Sequence, residues 1–351
     1  MPARTPVALV TGATGYVASE ITAQLLRKGW IVRGTARRIG DARAAGLAAL
    51  AAALPGTLTL HEADLLAAHA FDALVPGCDY VFHVASPFFI ASTDPHADLI
   101  TPAVSGTINV LGAVAKANEK AGGGEIGVRR VILTSSVAAV HGEYAAPPVG
   151  GGDLYTEADF NGTSTVENGQ AYHASKALAE QEAWKVAGAK GIDLVTILPN
   201  FVLGPPLLSG AFGTSIGFFA AMVEGRAAPG GAPVVCDVRD VARAHVLAAE
   251  APGASGRYII SHAGPLPPAL VADVLADRLP GCALLGVEGG GESGAAAADP
   301  PDLRPRIDNS RAATELGLAL RPMRETVADM VTALVALGLA TPREKEAEAA
   351  K

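Results

Sequence analysis

The chain has 351 residues, of which 50% are hydrophobic and 18% are charged, and its mean hydropathy is +0.30. This composition excludes an intrinsically disordered chain and is typical of a globular protein with a large core. A net charge of -8 and a pI near 5.5 provide no general attraction for nucleic acid or for an anionic membrane surface, so a small molecule is the expected partner.

The three cysteines, Cys78, Cys236 and Cys282, are widely spaced and include no CxxC pair. Disulfide frameworks and metal sites need paired or clustered ligands, so we expect reduced thiols and no metal. The N-terminus enters a strand-like run within a few residues, which leaves no room for a signal peptide. Gly, Pro or charged residues interrupt every long apolar stretch, so we expect no transmembrane helix and a cytoplasmic location.

Short β-rich runs alternate with longer Ala- and Leu-rich helical patterns over the first 200 residues. This alternation predicts the α/β class, as a Rossmann-type doubly wound parallel sheet with helices on both faces. The predicted strands are residues 7–10, 30–36, 58–62, 80–84, 130–134 and 193–198. The predicted helices are residues 16–27, 42–53, 98–121 and 170–189.

After Pro199 the alternation changes to pieces punctuated by Pro and Gly, which predict loops between short elements. We expect residues 1–200 to form a nucleotide-binding domain, with residues from about 235 to 262 returning to it. Residues 201–343 then form mainly a smaller C-terminal substrate-binding region, and residues 344–351 a frayed tail.

The first predicted strand leads directly into residues 11–18, TGATGYVA, and then into a helix. Gly12 permits a tight turn, Gly15 lets a pyrophosphate reach the helix amides, and the small Ala18 lets helix and strand pack closely. This context predicts a nucleotide site that includes Gly12, Thr14, Gly15, Tyr16 and Val17.

The end of the second strand normally decides between the two nicotinamide cofactors. A carboxylate there binds the adenosine ribose hydroxyls and repels a 2′-phosphate. Here the segment carries Arg37 and Arg38 instead, and guanidinium groups bind phosphate, so NADP(H) is favoured over NAD(H). The alternative is that both arginines simply solvate a loop.

Two further strand ends fit a cofactor cleft. Asp64 and Leu65 follow the third strand, where a carboxylate can bind the adenine amino group, and Ala85 follows the fourth strand at the opening of the crevice. Each of these could equally be an ordinary turn at the end of a strand.

Tyr172 and Lys176 are four residues apart and therefore share one face of a predicted helix. The ammonium group favours the phenolate, so we expect it to lower the pKa of Tyr172 toward neutrality. Ser136 follows the predicted strand 130–134, at the edge of the sheet where the cofactor crevice opens. Its hydroxyl can hold a carbonyl oxygen in line with Tyr172 there. Ser135 is the alternative, because a shift of one residue turns the side chain to the other face.

Taken in order, these segments resemble the extended short-chain dehydrogenases/reductases, and among them the dihydroflavonol reductases, cinnamoyl-CoA reductases and fungal aldehyde and methylglyoxal reductases. The resemblance covers residues 6 to 340 and is carried by residues 11–18, 37, 64–65, 81–87, 104–111, 133–136, 172–176, 198–200, 202–205 and 237–245.

The resemblance implies that Tyr172 donates a proton to the substrate carbonyl and that Lys176 holds the nicotinamide ribose. It also implies that Pro199 and Val202 line the nicotinamide pocket. Asn109 lies where classical relatives use an asparagine, although its place in a helix explains it equally well.

Other candidate residues have less definite roles. His83, His141 and His245 have no partners at metal-ligand spacing, so we expect ordinary packing or surface histidines. Five phenylalanines near the expected pocket either line it or belong to the core: Phe88, Phe89, Phe212, Phe218 and Phe219. Residues 143–169 and 289–301 depart from the family pattern where specificity is set.

These features together predict an NADPH-dependent carbonyl reductase that acts on a small, hydrophobic aldehyde, ketone or alcohol, as a monomer or homodimer with no nucleic-acid or membrane partner. Two alternatives stay open. One is an epimerase or dehydratase of nucleotide sugars, and the other is a non-catalytic NADP-binding regulator, which has no chemical need for the set of Ser136, Tyr172 and Lys176.

Overall fold

The computed structural model of this chain describes residues 4–86, 93–121, 127–142, 148–210, 213–228, 233–283 and 306–344. The strands are β1 Val7–Val10, β2 Ile31–Ala36, β3 Thr57–Glu62, β4 Tyr80–His83, β5 Arg130–Thr134, β6 Leu154–Tyr155, β7 Leu194–Pro199, β8 Phe201–Leu203, β9 Val235–Asp237, β10 Gly256–Ile260 and β11 Arg306–Ile307. The helices are α1 Tyr16–Arg27, α2 Ala42–Ala52, α3 Thr101–Ala121, α4 Ala171–Lys190, α5 Thr214–Val223, α6 Val238–Glu250, α7 Pro268–Arg278, α8 Ser310–Leu316 and α9 Met323–Ala336.

Within the described residues, seven parallel strands form the central sheet in the order β10-β7-β5-β4-β1-β2-β3. The chain runs outward from β1 to β2 and β3, then returns to place β4 on the other side of β1. The connections that leave β1 and β4 therefore diverge to opposite sides, and a crevice opens where the strands end.

Helices cover both faces of the sheet, which explains why its middle strands are apolar throughout. On one face α1, α2, α6 and α8 bury residues such as Ile21, Leu47 and Tyr258 in a common core. On the other face α3 and α4 cover Leu9, Val81 and Val131. A strand that packs on both sides excludes water from both sides, so nearly every residue of β1, β5 and β7 is buried.

A separate apolar cluster lies in the C-terminal region and joins β8, β9, α5, α7 and α9. Phe219 is fully buried in this cluster, and the half-buried Phe218 packs edge-on against both Phe219 and Phe201. Of the five phenylalanines expected near the pocket, Phe219 is thus a core residue. Phe88, Phe89 and Phe212 lie outside the described residues.

The predicted fold class is confirmed, and most predicted boundaries lie within two residues of those observed. The helix predicted at residues 98–121 differs at its start, because a π-helical turn at His96–Ile100 precedes α3. The predicted strands omitted β10, which pairs with β7 over its full length at the edge of the sheet.

Residues 96–121 are long and apolar enough to cross a membrane by length and composition alone. Half of this window is buried in the structure, and Val110, Leu111 and Val114 are in the core under the sheet. The apolar character of α3 is therefore explained by its packing against the sheet and α4.

Two glycines test how closely the start of β3 packs against the connection between α1 and β2. A Cβ added at Gly56 would lie 2.5 Å from the carbonyl oxygen of Trp30 and 2.8 Å from Cα of Leu26. Gly188 is exposed on α4, and a Cβ added there would meet no atom within 4 Å apart from the backbone of its own helix. We predict that Gly56→Ala lowers the free energy of unfolding by about 1–3 kcal/mol through overpacking. Gly188→Ala should raise it by about 0.5–1 kcal/mol through helix propensity. Urea denaturation of both variants measures these changes, and equal effects of the two would contradict the packing described.

Candidate active site

The predicted cofactor-binding and catalytic residues lie along the crevice at the carboxyl ends of the strands. Going across the sheet, Pro199 ends β7, Ser136 follows β5, Ala85 follows β4, and residues 11–15 follow β1. Arg37 and Asp64 follow β2 and β3 at the far end. The predicted cofactor and catalytic residues thus occupy one rim of one sheet.

The loop after β1 brings the backbone close to the neighbouring strand end. Gly12 has φ +64°, and a Cβ on it would lie 2.9 Å from Cβ of Ala85, so a side chain is excluded for two reasons. The amide of Ala13 donates to the carbonyl of Thr35 at 2.7 Å, which fixes the loop against β2. A narrow cradle of this kind suits a pyrophosphate that must approach the backbone.

The N-terminus of α1 follows this loop without a side-chain cap. Gly15 precedes the helix, no side chain accepts from its amides, and its first turn has no acidic residue. The first amides of a helix lack intrahelical acceptors, and the positive end of the helix favours an anion. The residues present therefore fit the phosphates of a dinucleotide. Thr14 is buried beside this turn, and Val17 packs on the sheet core.

Tyr16 has a structural contact that the sequence did not reveal. Its side chain is half-buried, and the phenol donates to the carbonyl of Gly204 at 2.7 Å, which joins the start of α1 to the residue after β8. Burial, followed by the nearby Asp237 carboxylate, raises the pKa of Tyr16 well above its ordinary value. Val202 lies in β8 and is half-buried, so this contact helps to hold the segment predicted to line the nicotinamide pocket.

A chain of hydroxyl and imidazole groups fixes the loops after β1 and β4 together. Thr11 Oγ1 accepts from the amides of Val84 and Ala85, both at 3.0 Å, and lies 3.0 Å from His83 Nδ1. Since two amides already donate to this oxygen, its own proton is directed at Nδ1. The other ring nitrogen of His83 lies 3.4 Å from Thr107 Oγ1. His83 is thus a packed histidine, and burial lowers its pKa to about 3, so the ring is neutral.

The residues predicted to bind the adenosine end lie at the surface. Arg37 and Arg38 are exposed, and neither forms a hydrogen bond or ion pair with any residue that the structure describes. Asp64 accepts from the amide of Leu66 at 2.9 Å, which shapes the turn after β3. Asn109 donates to the carbonyl of Leu65 at 2.7 Å, so its observed contact is with this turn, as the helix-based interpretation expects.

Ser136, Tyr172 and Lys176 come together at the middle of the rim. Ser136 precedes a 3-10 turn at Val137–Ala139, where its hydroxyl accepts from the amide of Ala138 at 3.2 Å. The same hydroxyl lies close enough to the Tyr172 phenol to lower the pKa of that phenol. Nζ of Lys176 lies 5.9 Å from the centre of the Tyr172 ring, one helical turn along α4. The neighbouring Ser135 instead donates to Glu180 at 2.7 Å, so Ser136 is the serine that contacts Tyr172.

The expected pKa of Tyr172 is wrong in direction. Burial raises it above the ordinary value of 10, and the hydrogen bond with Ser136 offsets only part of that change. Lys176 does not reverse this rise: its Nζ lies 5.9 Å from the centre of the Tyr172 ring, and burial is the largest influence on the phenol. Burial also lowers the pKa of Lys176 to about 8, so the lysine keeps most of its charge at pH 7.

Glu180 and Arg257 form a buried ion pair behind this group that sequence reasoning missed. Arg257 Nε lies 2.8 Å from Glu180 Oε1, and the Glu180 side chain is fully buried. The spacing of Glu180, four residues after Lys176, places it on the same face of the helix and is visible in the sequence. Its pairing with Arg257 is not visible there, because the two residues are 77 positions apart in the chain.

The remaining histidines have packing roles. His245 donates from Nδ1 to the carbonyl of Val241 and accepts from Thr134, both at 2.7 Å. The His141 ring packs against the Tyr155 ring, with their centres 5.1 Å apart and their planes tilted by 44°. In the described parts of the chain, no group of three or more His, Cys, Asp or Glu residues is placed to hold a metal ion.

Residues 148–169 belong to the first segment in which the sequence departs from the family pattern. Here Asn161 donates to the carbonyl of Ala138 at 2.7 Å and β6 pairs with β11, which together hold this segment against the turn after Ser136. Residues 143–147 of this segment, and all of the second departing segment, 289–301, lie outside the described residues. A cavity of about 600 Å³ bounded by Phe160, Trp184 and Arg311 contains none of the three central residues.

Comparison with known proteins places this geometry in context. The model of the NAD dependent epimerase/dehydratase family matches residues 8–261. Cinnamoyl-CoA reductase 2 of Arabidopsis thaliana is 37% identical over 327 residues, covering 93% of this chain and 91% of that protein. An anthocyanidin reductase of Vitis vinifera is 37% identical over 289 residues, covering 78% and 81%. Yeast methylglyoxal/isovaleraldehyde reductase Gre2, solved in complex with NADPH, superposes with a TM-score of 0.77 at 27% identity, covering 95% of this chain and 99% of that one.

The exposed, uncommitted guanidinium of Arg37 gives a test of cofactor choice. If Arg37 binds a 2′-phosphate, Arg37→Ala removes charge-assisted hydrogen bonds worth about 1.5–3 kcal/mol, or roughly tenfold to a hundredfold in the Kd for NADPH. The Kd for NADH should not change, because NADH has no such phosphate. Fluorescence titration measures both constants, with Lys120→Ala, which removes an exposed cation in the last turn of α3, as the matched control. An equal loss of affinity for both cofactors would show that Arg37 acts on the loop and not on the phosphate.

Proposed function

Because the chain belongs to the NAD-dependent epimerase/dehydratase family, within the extended short-chain dehydrogenases/reductases, and is an NADP(H)-dependent oxidoreductase like its relatives, we propose that it reduces an aldehyde or ketone to the alcohol. The observation that carries this proposal is the placement of the Ser136 hydroxyl beside the Tyr172 phenol and the buried Lys176, at the rim where the nucleotide loop ends.

We assign the two ends of the cofactor to the two ends of the rim. Arg37 would hold the 2′-phosphate, while Asp64 and Leu65 would border the adenine. The loop from Gly12 to Val17, with Ala85 opposite, would hold the pyrophosphate. Pro199, Val202 and Lys176 would hold the nicotinamide and its ribose. When bound, NADPH supplies the hydride that the carbonyl carbon accepts.

Tyr172 is the proposed proton donor. A raised pKa keeps its phenol protonated at neutral pH, which is the form that reduction requires. As hydride reaches the carbonyl carbon, the carbonyl oxygen takes the phenolic proton, and the phenolate recovers a proton from solvent. The carbonyl thus gains one hydride and one proton to become the alcohol.

Ser136 and Lys176 assist this transfer by different means. The Ser136 hydroxyl already contacts Tyr172, so it holds the carbonyl oxygen and the phenol in a common hydrogen-bond geometry. The Lys176 ammonium stabilises the negative charge that develops on Tyr172 when the proton leaves. Its burial strengthens that attraction because water is excluded.

An aromatic or otherwise hydrophobic carbonyl compound is the proposed substrate class. Two relatives are named for cinnamoyl-CoA and anthocyanidin, both of which contain aromatic rings, and a third for methylglyoxal and isovaleraldehyde. The chain has only 18% charged residues, which favours an apolar pocket. A panel of cinnamaldehydes, cinnamoyl thioesters, aliphatic aldehydes and methylglyoxal therefore samples the relevant range.

Removal of the phenolic hydroxyl tests the proton donor. We predict that Tyr172→Phe lowers kcat for carbonyl reduction by about 10²–10⁴-fold, the usual contribution of general acid catalysis, and leaves the Kd for NADPH within about twofold. NADPH oxidation at 340 nm and fluorescence titration measure the two quantities. Tyr80→Phe, which removes a phenol at the start of β4 and therefore at the opposite end of the sheet, is the control. Full activity of Tyr172→Phe would rule out the assigned role.

The lowered pKa of Lys176 predicts a pH dependence of defined sign. The charged ammonium is present below its pKa of about 8 and is lost above it. The rate of reduction should therefore be constant from about pH 6 to 7 and fall as the pH rises through about 8. Tyr172 adds no loss in this range because its own pKa is raised.

The conservative variant Lys176→Arg is the control for this assignment. Arginine stays charged throughout the range, so whatever activity the variant retains should lack the loss near pH 8. Persistence of the same loss in Lys176→Arg would assign the titration to another group.

A further inference from the structure

A buried ion pair holds the back of the candidate active site. Glu180 lies on α4 two turns after Tyr172 and one turn after Lys176, so the three side chains share a face of the helix. Its carboxylate accepts from Arg257 Nε at 2.8 Å and Nη2 at 3.1 Å. The exposed fractions of the two side chains are 0% for Glu180 and 6% for Arg257, so the pair is shielded from solvent.

The Glu180 carboxylate also binds the two strands in front of α4. The hydroxyl of Ser135 donates to Oε2 at 2.7 Å, and the hydroxyl of Thr196 donates to Oε1 at 2.8 Å. Ser135 is the residue before Ser136, and Thr196 lies in the middle of β7. One carboxylate therefore fixes the helix that carries Tyr172 to the strand end that carries Ser136.

The Arg257 guanidinium fixes the other side of the same group. It donates from Nη2 to the carbonyl of Ala139 at 3.2 Å and from Nη1 to the carbonyls of Glu157 and Asp159. Ala139 ends the 3-10 turn that begins after Ser136. The segment containing Glu157 and Asp159 leads to Asn161, which binds the same turn. Arg257 thus connects β10, the Ser136 turn and the segment on the substrate side.

We propose that Glu180 and Arg257 are positioning residues that set the distance between the Ser136 hydroxyl and the Tyr172 phenol. Both members of the proton-donating pair are attached to this one buried pair, Tyr172 through α4 and Ser136 through Ser135 and Ala139. Neither Glu180 nor Arg257 contacts Tyr172 in the part of the chain that the structure describes, so each acts through its neighbours. The proposal rests on the proposed function, because it assigns these residues a task in that reaction.

Ser135→Ala is the most direct variant, since it removes one hydroxyl between Glu180 and the residue next to Ser136 and leaves the ion pair in place. A small misplacement of reacting groups costs a large factor in rate, so we expect kcat to fall about tenfold or more. KM and Kd for NADPH should stay within about twofold. Glu180→Gln should lower kcat at least as far. Glu182→Gln, on the same helix but paired only with the exposed Lys185, is the matched control and should change neither quantity.

A second measurement does not depend on turnover. Hydrogen exchange followed by mass spectrometry should show faster exchange in peptides covering residues 134–140 and 170–178 of Ser135→Ala, with no change in β1 to β3 or in the C-terminal cluster. This pattern separates a local loss of positioning from general destabilisation, which would raise exchange throughout. It also keeps the proposal testable if Glu180→Gln, which leaves Arg257 buried without its counter-charge, fails to fold.

The outcomes separate the two proposals. Turnover by the native enzyme with a lowered kcat in Ser135→Ala supports positioning, whereas an unchanged kcat in both variants, or a loss matched by the loss of NADPH affinity, overturns it. If the native enzyme reduces no carbonyl compound in the panel, the proposed function fails. The hydrogen-exchange measurement alone then decides whether Glu180 and Arg257 position Ser136 and Tyr172. Faster exchange confined to the two peptides then supports positioning, and unchanged exchange overturns it.

Discussion

The full or partial burial of three ionisable side chains along one face of α4 is the constraint on which the rest of the site depends. Tyr172, Lys176 and Glu180 follow one another at intervals of four residues against the ends of the strands; Lys176 and Glu180 are buried, and Tyr172 is partly buried. Burial of ionisable groups is unfavourable unless they are paired or neutralised. Glu180 is paired with Arg257, Tyr172 stays protonated beside the Ser136 hydroxyl, and Lys176 has a lowered pKa. The unfavourable burial is thus concentrated where reactivity is needed.

The end of the rim that is proposed to bind the cofactor differs, because the groups that would contact the cofactor there are mainly backbone amides and not buried charged side chains. Thr11 and His83 hold the loops after β1 and β4 together without any charge, and Gly12 leaves no room for a side chain between them. The amides at the start of α1 and the exposed Arg37 stay available for an anion. A neutral, rigid cradle with one cationic end suits a dinucleotide whose charges lie at the pyrophosphate and the 2′-phosphate. The two halves of the site therefore meet different physical requirements on one sheet.

Most of the fold and the main residues of the site followed from local patterns in the sequence. The buried strands were recognised by apolar runs, and Tyr172 and Lys176 by their spacing on a helix. Features that depend on contacts between residues far apart in the chain could not be predicted from these local patterns. β10 was missed as a strand of the sheet, and Arg257 was not identified because Glu180 lies 77 residues away. The pKa of Tyr172 was expected to fall, since the charge of Lys176 is visible in sequence and the burial of the phenol is not. The sequence could not decide between Ser135 and Ser136 as the serine beside Tyr172. The structure decides it, because the Ser135 hydroxyl donates to Glu180 and the Ser136 hydroxyl lies beside Tyr172.

The central claim is that this chain transfers hydride from NADPH to a carbonyl carbon, and isotope transfer tests it most directly. The native enzyme is incubated with a carbonyl compound from the panel and NADPH that carries two deuterium atoms at C4 of the nicotinamide, and the product is analysed by mass spectrometry and NMR. The account predicts an alcohol with one deuterium on the former carbonyl carbon, formed in equal amount to the NADP⁺. An unlabelled alcohol, or a substrate that is isomerised or dehydrated while NADPH is unchanged, would contradict it.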